Sequence, residues 1–150
     1  MSAFTERINA SIKEAMKAKD KDRLTTLRDI KSKLLLEATS GSGVEVSEEV
    51  AAKICLKLYK QRKETYALYI EQGREDLAAE ELAQANIIEE FLPKMLSQDQ
   101  IRIEVSQCIQ NLNATSMSDM GKVMGFLSKK LAGKADGKII SSLVKEELSR

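Results

Sequence analysis

The sequence predicts an all-α protein: an N-terminal helical domain of about four helices, residues 1–93, followed by a small three-helix C-terminal domain, residues 97–150. Three observations carry this. One proline and seven glycines are the only strong breakers in 150 residues, and the abundant Ala, Leu, Lys, Glu and Gln favour helix. Apolar residues recur at three- and four-residue steps, and no stretch alternates at period two between turn signals, so no strand is expected. The proline, Pro93, separates two such patterns and sets the domain boundary at residues 93–96.

Phe4, Ile8, Ile12 and Ala15/Met16 mark an amphipathic first helix over about residues 3–18. The polar run Lys19-Asp20-Lys21-Asp22 breaks it. A second helix carries Leu24, Leu27, Ile30, Leu34, Leu35 and Ala38 on its apolar face. Ser40-Gly41-Ser42-Gly43 then reads as a flexible loop. Ser47 has the character of an N-cap, with Glu48 and Glu49 near the positive end of the helix dipole. Val50, Ala51, Ile54, Cys55, Leu58, Leu68 and Tyr69 share one side of a long third helix ending near Gln72. Gly73 follows as a residue able to take positive φ without strain. The fourth helix starts at Arg74-Glu75-Asp76, runs through Leu77, Ile87, Ile88, Phe91 and Leu92, and stops at Pro93.

Ser97-x-x-Gln100 is a capping-box pattern that opens a fifth helix with Ile101, Val105, Cys108, Ile109 and Leu112 inward. Ser116-x-x-Asp119 opens a sixth. Gly133 closes it, Asp136 caps a seventh, and Ile139, Ile140, Leu143 and Val144 are the seventh helix's expected core. No internal repeat and no low-complexity tract is present.

The formal net charge is +1, which does not indicate a globally basic nucleic-acid binder. The charge is unevenly spread: +3 over residues 1–40, −4 over 41–96 and +2 over 97–150. There is no His, which removes Ser–His, Cys–His and imidazole–metal chemistry together. Cys55 and Cys108 stand far apart among apolar neighbours, as buried thiols in a reducing compartment do. No apolar run nears the ~20 residues that span a bilayer, and the N-terminus has no signal-peptide h-region. Glu6, Glu14 and Asp20 argue against a transit peptide. A cytoplasmic protein without membrane, metal or cofactor is the expectation.

Residues 117–138 combine the most constrained positions. At ~100° per residue, Met117, Met120, Val123, Met124, Leu127 and Leu131 fall in an arc of roughly 120° and face inward. Lys122 and Lys129 lie opposite, Lys130 near the border of that face, and Phe126 between them. Gly121 and Gly125 share a flank where small residues permit close packing or a partner contact. Lys138 and Lys145 share a face of the seventh helix, and Lys134 lies in the turn before it. Lysine is a flexible point charge suited to phosphate, and an exposed phenylalanine can stack on a base. Physics alone supports two readings: a solubilising surface, or a face for RNA or a partner.

Five stretches carry a family resemblance: Gln61-Arg62-Lys63-Glu64, Gly73-Arg74-Glu75-Asp76-Leu77, Phe91-Leu92-Pro93-Lys94-Met95-Leu96-Ser97, Met120-Gly121-Lys122-Val123-Met124 and Gly133-Lys134-Ala135-Asp136-Gly137-Lys138. In order and spacing they resemble the GatB/YqeY family, specifically its stand-alone YqeY-like proteins, over nearly the whole chain. The resemblance implies a C-terminal domain similar to the tail of the GatB subunit of glutamine-dependent aminoacyl-tRNA amidotransferase, a tail that helps recognise tRNA. The family's label of carbon–nitrogen ligase with glutamine as amide donor belongs to larger relatives whose catalytic domain is absent here. No GxxxxGK[ST] loop is present, and the carboxylates of residues 71–90 read as a solvated face, so no catalytic residue is assigned.

The expected function is therefore a tRNA-associated accessory protein with no complete catalytic site. Lys122, Phe126, Lys129, Lys130, Lys134, Lys138 and Lys145 are its candidate tRNA-binding residues. The expected partners are tRNA and an amidotransferase or aminoacyl-tRNA synthetase complex; a separate reading is an accessory subunit that contributes to amidotransferase activity in trans. The alternative is a helical adaptor that docks on a protein through the Gly121/Gly125 flank or the basic helices of residues 1–40.

Overall fold

A computed structural model describes residues 2–40 and 45–150. The Gly/Ser loop expected at 40–43 lies outside them except for Ser40. Among the described residues there are seven α-helices and no strand. The chain divides into two compact units, residues 1–92 and 93–150.

The first unit holds α1 (Ala3–Ala18), α2 (Lys21–Ser40), α3 (Glu48–Glu71) and α4 (Glu75–Glu89). Its core is formed by Phe4 and Ile8 of α1, Leu27, Ile30 and Leu34 of α2, Cys55 and Leu58 of α3, and Ile88 of α4, with Phe91 beyond it. Each large apolar side chain among them contributes about 1.5–3 kcal/mol on full burial. The helix ends follow the sequence signals. The Ser2 and Ser47 hydroxyls accept from the N–H groups of Thr5 and Val50, and the Asp20 carboxylate accepts from Arg23 N–H at the start of α2. Glu48 reaches across to accept from the N–H of Phe4 (2.9 Å), which ties the starts of α1 and α3 together.

Gly73, at φ +74°, reverses the chain between α3 and α4. Arg74 N–H donates to the Tyr69 carbonyl (2.8 Å) and Gly73 N–H to that of Ile70 (3.1 Å), the bond pair that closes a helix through a left-handed residue. The helix before Pro93 stops earlier than expected, at Glu89. Phe91 and Leu92 N–H donate to the carbonyls three residues back, a tightened last turn. Arg23 holds the Glu90 carboxylate through both terminal nitrogens (2.7 and 3.1 Å). The Arg7 guanidinium lies over the rings of Phe4 and Phe91 at 5.9 and 5.4 Å.

A second tie links three helices. Arg62 of α3 donates to Asp29 of α2 (2.6 Å) and to Gln84 of α4 (2.8 Å), with Glu81 at 3.8 Å. All the fully buried residues of α3 precede Tyr59. Leu68, expected inward, is 50% exposed, while Thr65, Tyr66 and Tyr69 beside it are part-buried: a helical stripe is buried only on the side that a neighbour covers. Leu35 and Met16, also expected on apolar faces, are exposed for want of a covering element among the described residues. The three tyrosines, Tyr59, Tyr66 and Tyr69, all stand partly buried on α3.

The second unit holds α5 (Gln98–Asn111), a 3-10 turn (Met117–Asp119), α6 (Met120–Lys130) and α7 (Gly137–Leu148). Ile101, Val105 and Cys108 of α5, Val123 and Leu127 of α6, and Ile140, Leu143, Val144 and Leu148 of α7 form its core. The Ser97/Gln100 capping box forms as expected. Two core expectations fail. Ile139 is exposed, because Ile140, Leu143, Val144 and Leu148 already repeat at the three–four spacing and Ile139 falls one step outside it. Met117 is exposed, because it sits on the 3-10 turn, where the α-helical angle per residue no longer holds.

Candidate nucleic-acid interface

Helix α6 is set by its two ends. At its start, the Asp119 carboxylate accepts from the N–H groups of Thr115 (2.9 Å) and Ser116 (3.3 Å). These backbone donors hold the Asp119 carboxyl below the usual carboxylate range, with a smaller contribution from the Lys122 charge. At its end, Leu131 N–H closes on the Leu127 carbonyl and Gly133 takes φ +74°. The Lys134 carbonyl then accepts from Leu96 N–H (2.9 Å), which fixes the turn leading to α7. Asp136 caps α7 by accepting from Lys138 N–H (3.0 Å).

Between these ends, Val123 and Leu127 point inward and are fully buried. The opposite face carries Lys122, Phe126 and Lys129, all exposed, at the i, i+4 and i+7 positions. Phe126 is 47% exposed. The two lysines are seven positions apart, about 10.5 Å of helix rise, with the ring between them. Neither ammonium has an ion-pair partner among the described residues. Both are free to meet an anion, and Lys129 also lies in the last turn, where the helix dipole favours a cation.

Lys130 differs. It reaches back to Glu104 of α5 at 2.8 Å, so its charge is engaged inside the unit and it leaves the free group. A single-helix projection places Lys130 near the border of the basic face, but the projection holds no information about α5 and so misses Glu104. Lys134, Lys138 and Lys145 are exposed on the turn and on α7. Lys138 and Lys145 share one face of that helix. Gly121 and Gly125 are exposed, and a Cβ placed on either would meet nothing within 4 Å.

Cys55 lies in the core of the first unit and Cys108 in that of the second. Burial pushes Cys55 up to about 12 and raises Cys108, so both are held as neutral thiols. The Cys108 Sγ–H points at the Val123 carbonyl at 3.9 Å.

Fold and face together define a class: a small all-helical protein presenting an aromatic ring between two unpaired lysines on one helix. A family model described as Yqey-like protein matches residues 5–148, and the chain belongs to that family. It is similar to Altered inheritance of mitochondria protein 41, mitochondrial, of Kluyveromyces lactis, 28% identical over 141 residues, 92% of this chain and 72% of the relative. The protein of the same name from Vanderwaltozyma polyspora is 28% identical over 107 residues, 70% of this chain and 58% of the relative. A glutamyl-tRNA(Gln) amidotransferase subunit of Thermococcus gammatolerans is 29% identical over 96 residues, 61% of this chain but 15% of that much longer protein. The matches thus span 58–72% of the length of the first two relatives and a small part of the amidotransferase protein.

Proposed function

We propose that this chain is a tRNA-associated accessory protein, related to glutamine-dependent tRNA amidotransferase, that holds RNA on the Lys122–Phe126–Lys129 face and completes no reaction alone. The observation that carries this reading is Phe126, left 47% exposed between two unpaired lysines. A ring in that position is withdrawn from water only when something covers it, and a base flanked by phosphates satisfies ring and ammoniums together. The similarity to a tRNA amidotransferase protein points the same way. Lys134, Lys138 and Lys145 extend the cationic surface, while Lys130 acts through its pair with Glu104. In this reading the two units are separately folding domains of four and three helices, and the protein works in the cytoplasm.

The test is a tRNA-binding titration against salt. Reversing two phosphate contacts with Lys122→Glu/Lys129→Glu lowers affinity and reduces the log–log salt slope by about 1.4–1.8. Phe126→Ala weakens binding at every salt concentration with little change of slope. Affinity no greater than that of a helical control protein of equal charge ends the proposal.

A second reading, a helical adaptor for a protein partner, is favoured by the open Gly121/Gly125 flank. Co-purification that survives ribonuclease and is lost in Gly121→Leu/Gly125→Leu supports it. If transamidation by an amidotransferase lacking its GatB tail does not change when this protein is added, a contribution in trans is ruled out.

A further inference from the structure

Helix α3 carries an exposed face of opposite sign to that of α6. Leu68 is 50% exposed, with Glu64 four residues before it and Glu71 three residues after. At ~100° per residue both carboxylates fall within about 60° of Leu68. Both are exposed, and neither has an ion-pair partner among the described residues. The surroundings are acidic: residues 64–90 hold eight Asp/Glu against one basic residue, Arg74. Of these, Asp76, Glu81 and Glu90 are engaged by Arg74, Arg62 and Arg23; of the remaining five, Glu64 and Glu71 are the two that flank Leu68 on α3.

The Lys122–Phe126–Lys129 face has the same four-then-three spacing, with lysines in place of glutamates and an exposed ring in place of the exposed leucine. Laid together, Leu68 covers Phe126 and each glutamate meets a lysine. In both helices the charged residues lie about 40–60° to the same side of the apolar one, so the two faces pair when the helices run antiparallel, with the register agreeing to within about 1.5 Å, well inside the reach of a lysine side chain. Each face thus satisfies the charge pattern and the unpartnered apolar surface of the other.

We propose that the Glu64–Leu68–Glu71 face of α3 docks the Lys122–Phe126–Lys129 face of α6 from a second copy of this chain. A contact between two unlike faces closes into a pair or ring, or runs on as a chain. Rim ion pairs make it dependent on salt. The proposal does not rest on RNA binding and is tested without RNA.

The experiment is analytical ultracentrifugation of nuclease-treated full-length protein over a concentration series at low and at high salt. Wild type shows a weight-average mass that rises with concentration at low salt and falls back at high salt. Glu64→Lys/Glu71→Lys and Lys122→Glu/Lys129→Glu, each with unchanged helical circular dichroism, associate about tenfold or more weakly. Mixing the two variants restores association, because the wild-type acidic face of one meets the wild-type basic face of the other, and the two reversed faces also match. Leu68→Ser, which leaves the charges in place, also weakens association. A wild type that stays monomeric at low salt overturns the proposal and leaves the acidic face to another basic partner. So does association that vanishes on nuclease treatment, that both variants retain, or that mixing fails to restore.

Discussion

Arg62 is the residue whose removal tests the packing of the first unit most directly. Its guanidinium bonds Asp29 at 2.6 Å and Gln84 at 2.8 Å, with Glu81 at 3.8 Å, and so joins α2, α3 and α4. The Arg62, Asp29 and Glu81 side chains are 21%, 30% and 23% exposed. They are shielded enough for charged hydrogen bonds to count at about 1.5–3 kcal/mol, less some solvent screening. Arg62→Met keeps most of the apolar stem and removes the charge. It leaves Asp29 beside Lys33 at 3.9 Å only, and Glu81 without its cation. The expected loss is about 2 kcal/mol, read as a urea midpoint lowered by roughly 1 M at ordinary slopes for a domain of this size. A double-mutant cycle with Asp29→Asn isolates the pair, with an expected coupling of about 1 kcal/mol. Arg102 and Glu146 serve as the control, at 3.3 Å with side chains 40% and 47% exposed. Their coupling is expected to stay below about 0.5 kcal/mol. If the Arg62–Asp29 coupling does not exceed that of the control, the tie is incidental and the reasoning fails.

Three further outcomes follow from the same structure. Gly125→Ala, at an open interior position of α6, raises stability to thermal unfolding by about 0.5–1 kcal/mol through helix propensity; a decrease would mean that something contacts that flank. Leu127→Ala, fully buried in the second unit, costs about 2–5 kcal/mol and unfolds much of that unit at moderate urea, measured by circular dichroism. Cys55 keeps its proton to about 12 when folded but titrates near the ordinary thiol value of about 8.5 when unfolded. The folded state therefore holds the proton more tightly. Its stabilising contribution is complete below the unfolded value and is lost as pH rises toward 12. Cys55→Ala changes that alkaline slope in equilibrium unfolding, and an unchanged slope would refute the assignment.

The helical elements were legible in the sequence because their signals are local. Ser47, Ser97, Asp136 and Gly73 act within four residues of themselves, and each does what its chemistry suggested, whereas Gly133 takes its positive φ in the turn beyond Leu131, which caps α6 in its place. The exposed Phe126 between Lys122 and Lys129 was legible for the same reason, since it depends on the period of one helix. Facts that depend on a second helix were not legible. Lys130 pairs with Glu104 of α5, Arg62 bridges two other helices, and Leu68 stays exposed although α4 packs along α3. Met117 failed for a further reason: three residues of 3-10 geometry precede α6 and shift the phase.

The placement of the aromatic residues has an optical consequence. The chain has no tryptophan, and its tyrosines, at 59, 66 and 69, all stand on α3. Intrinsic emission excited near the tyrosine band therefore reports on residues 1–92 alone, while the far-ultraviolet signal sums helices from both units. Heating the protein while following both signals turns one sample into two thermometers. Superimposed curves mean that the units melt as one cooperative body, and a lag between them measures the stability of the optically silent C-terminal unit without cutting the chain.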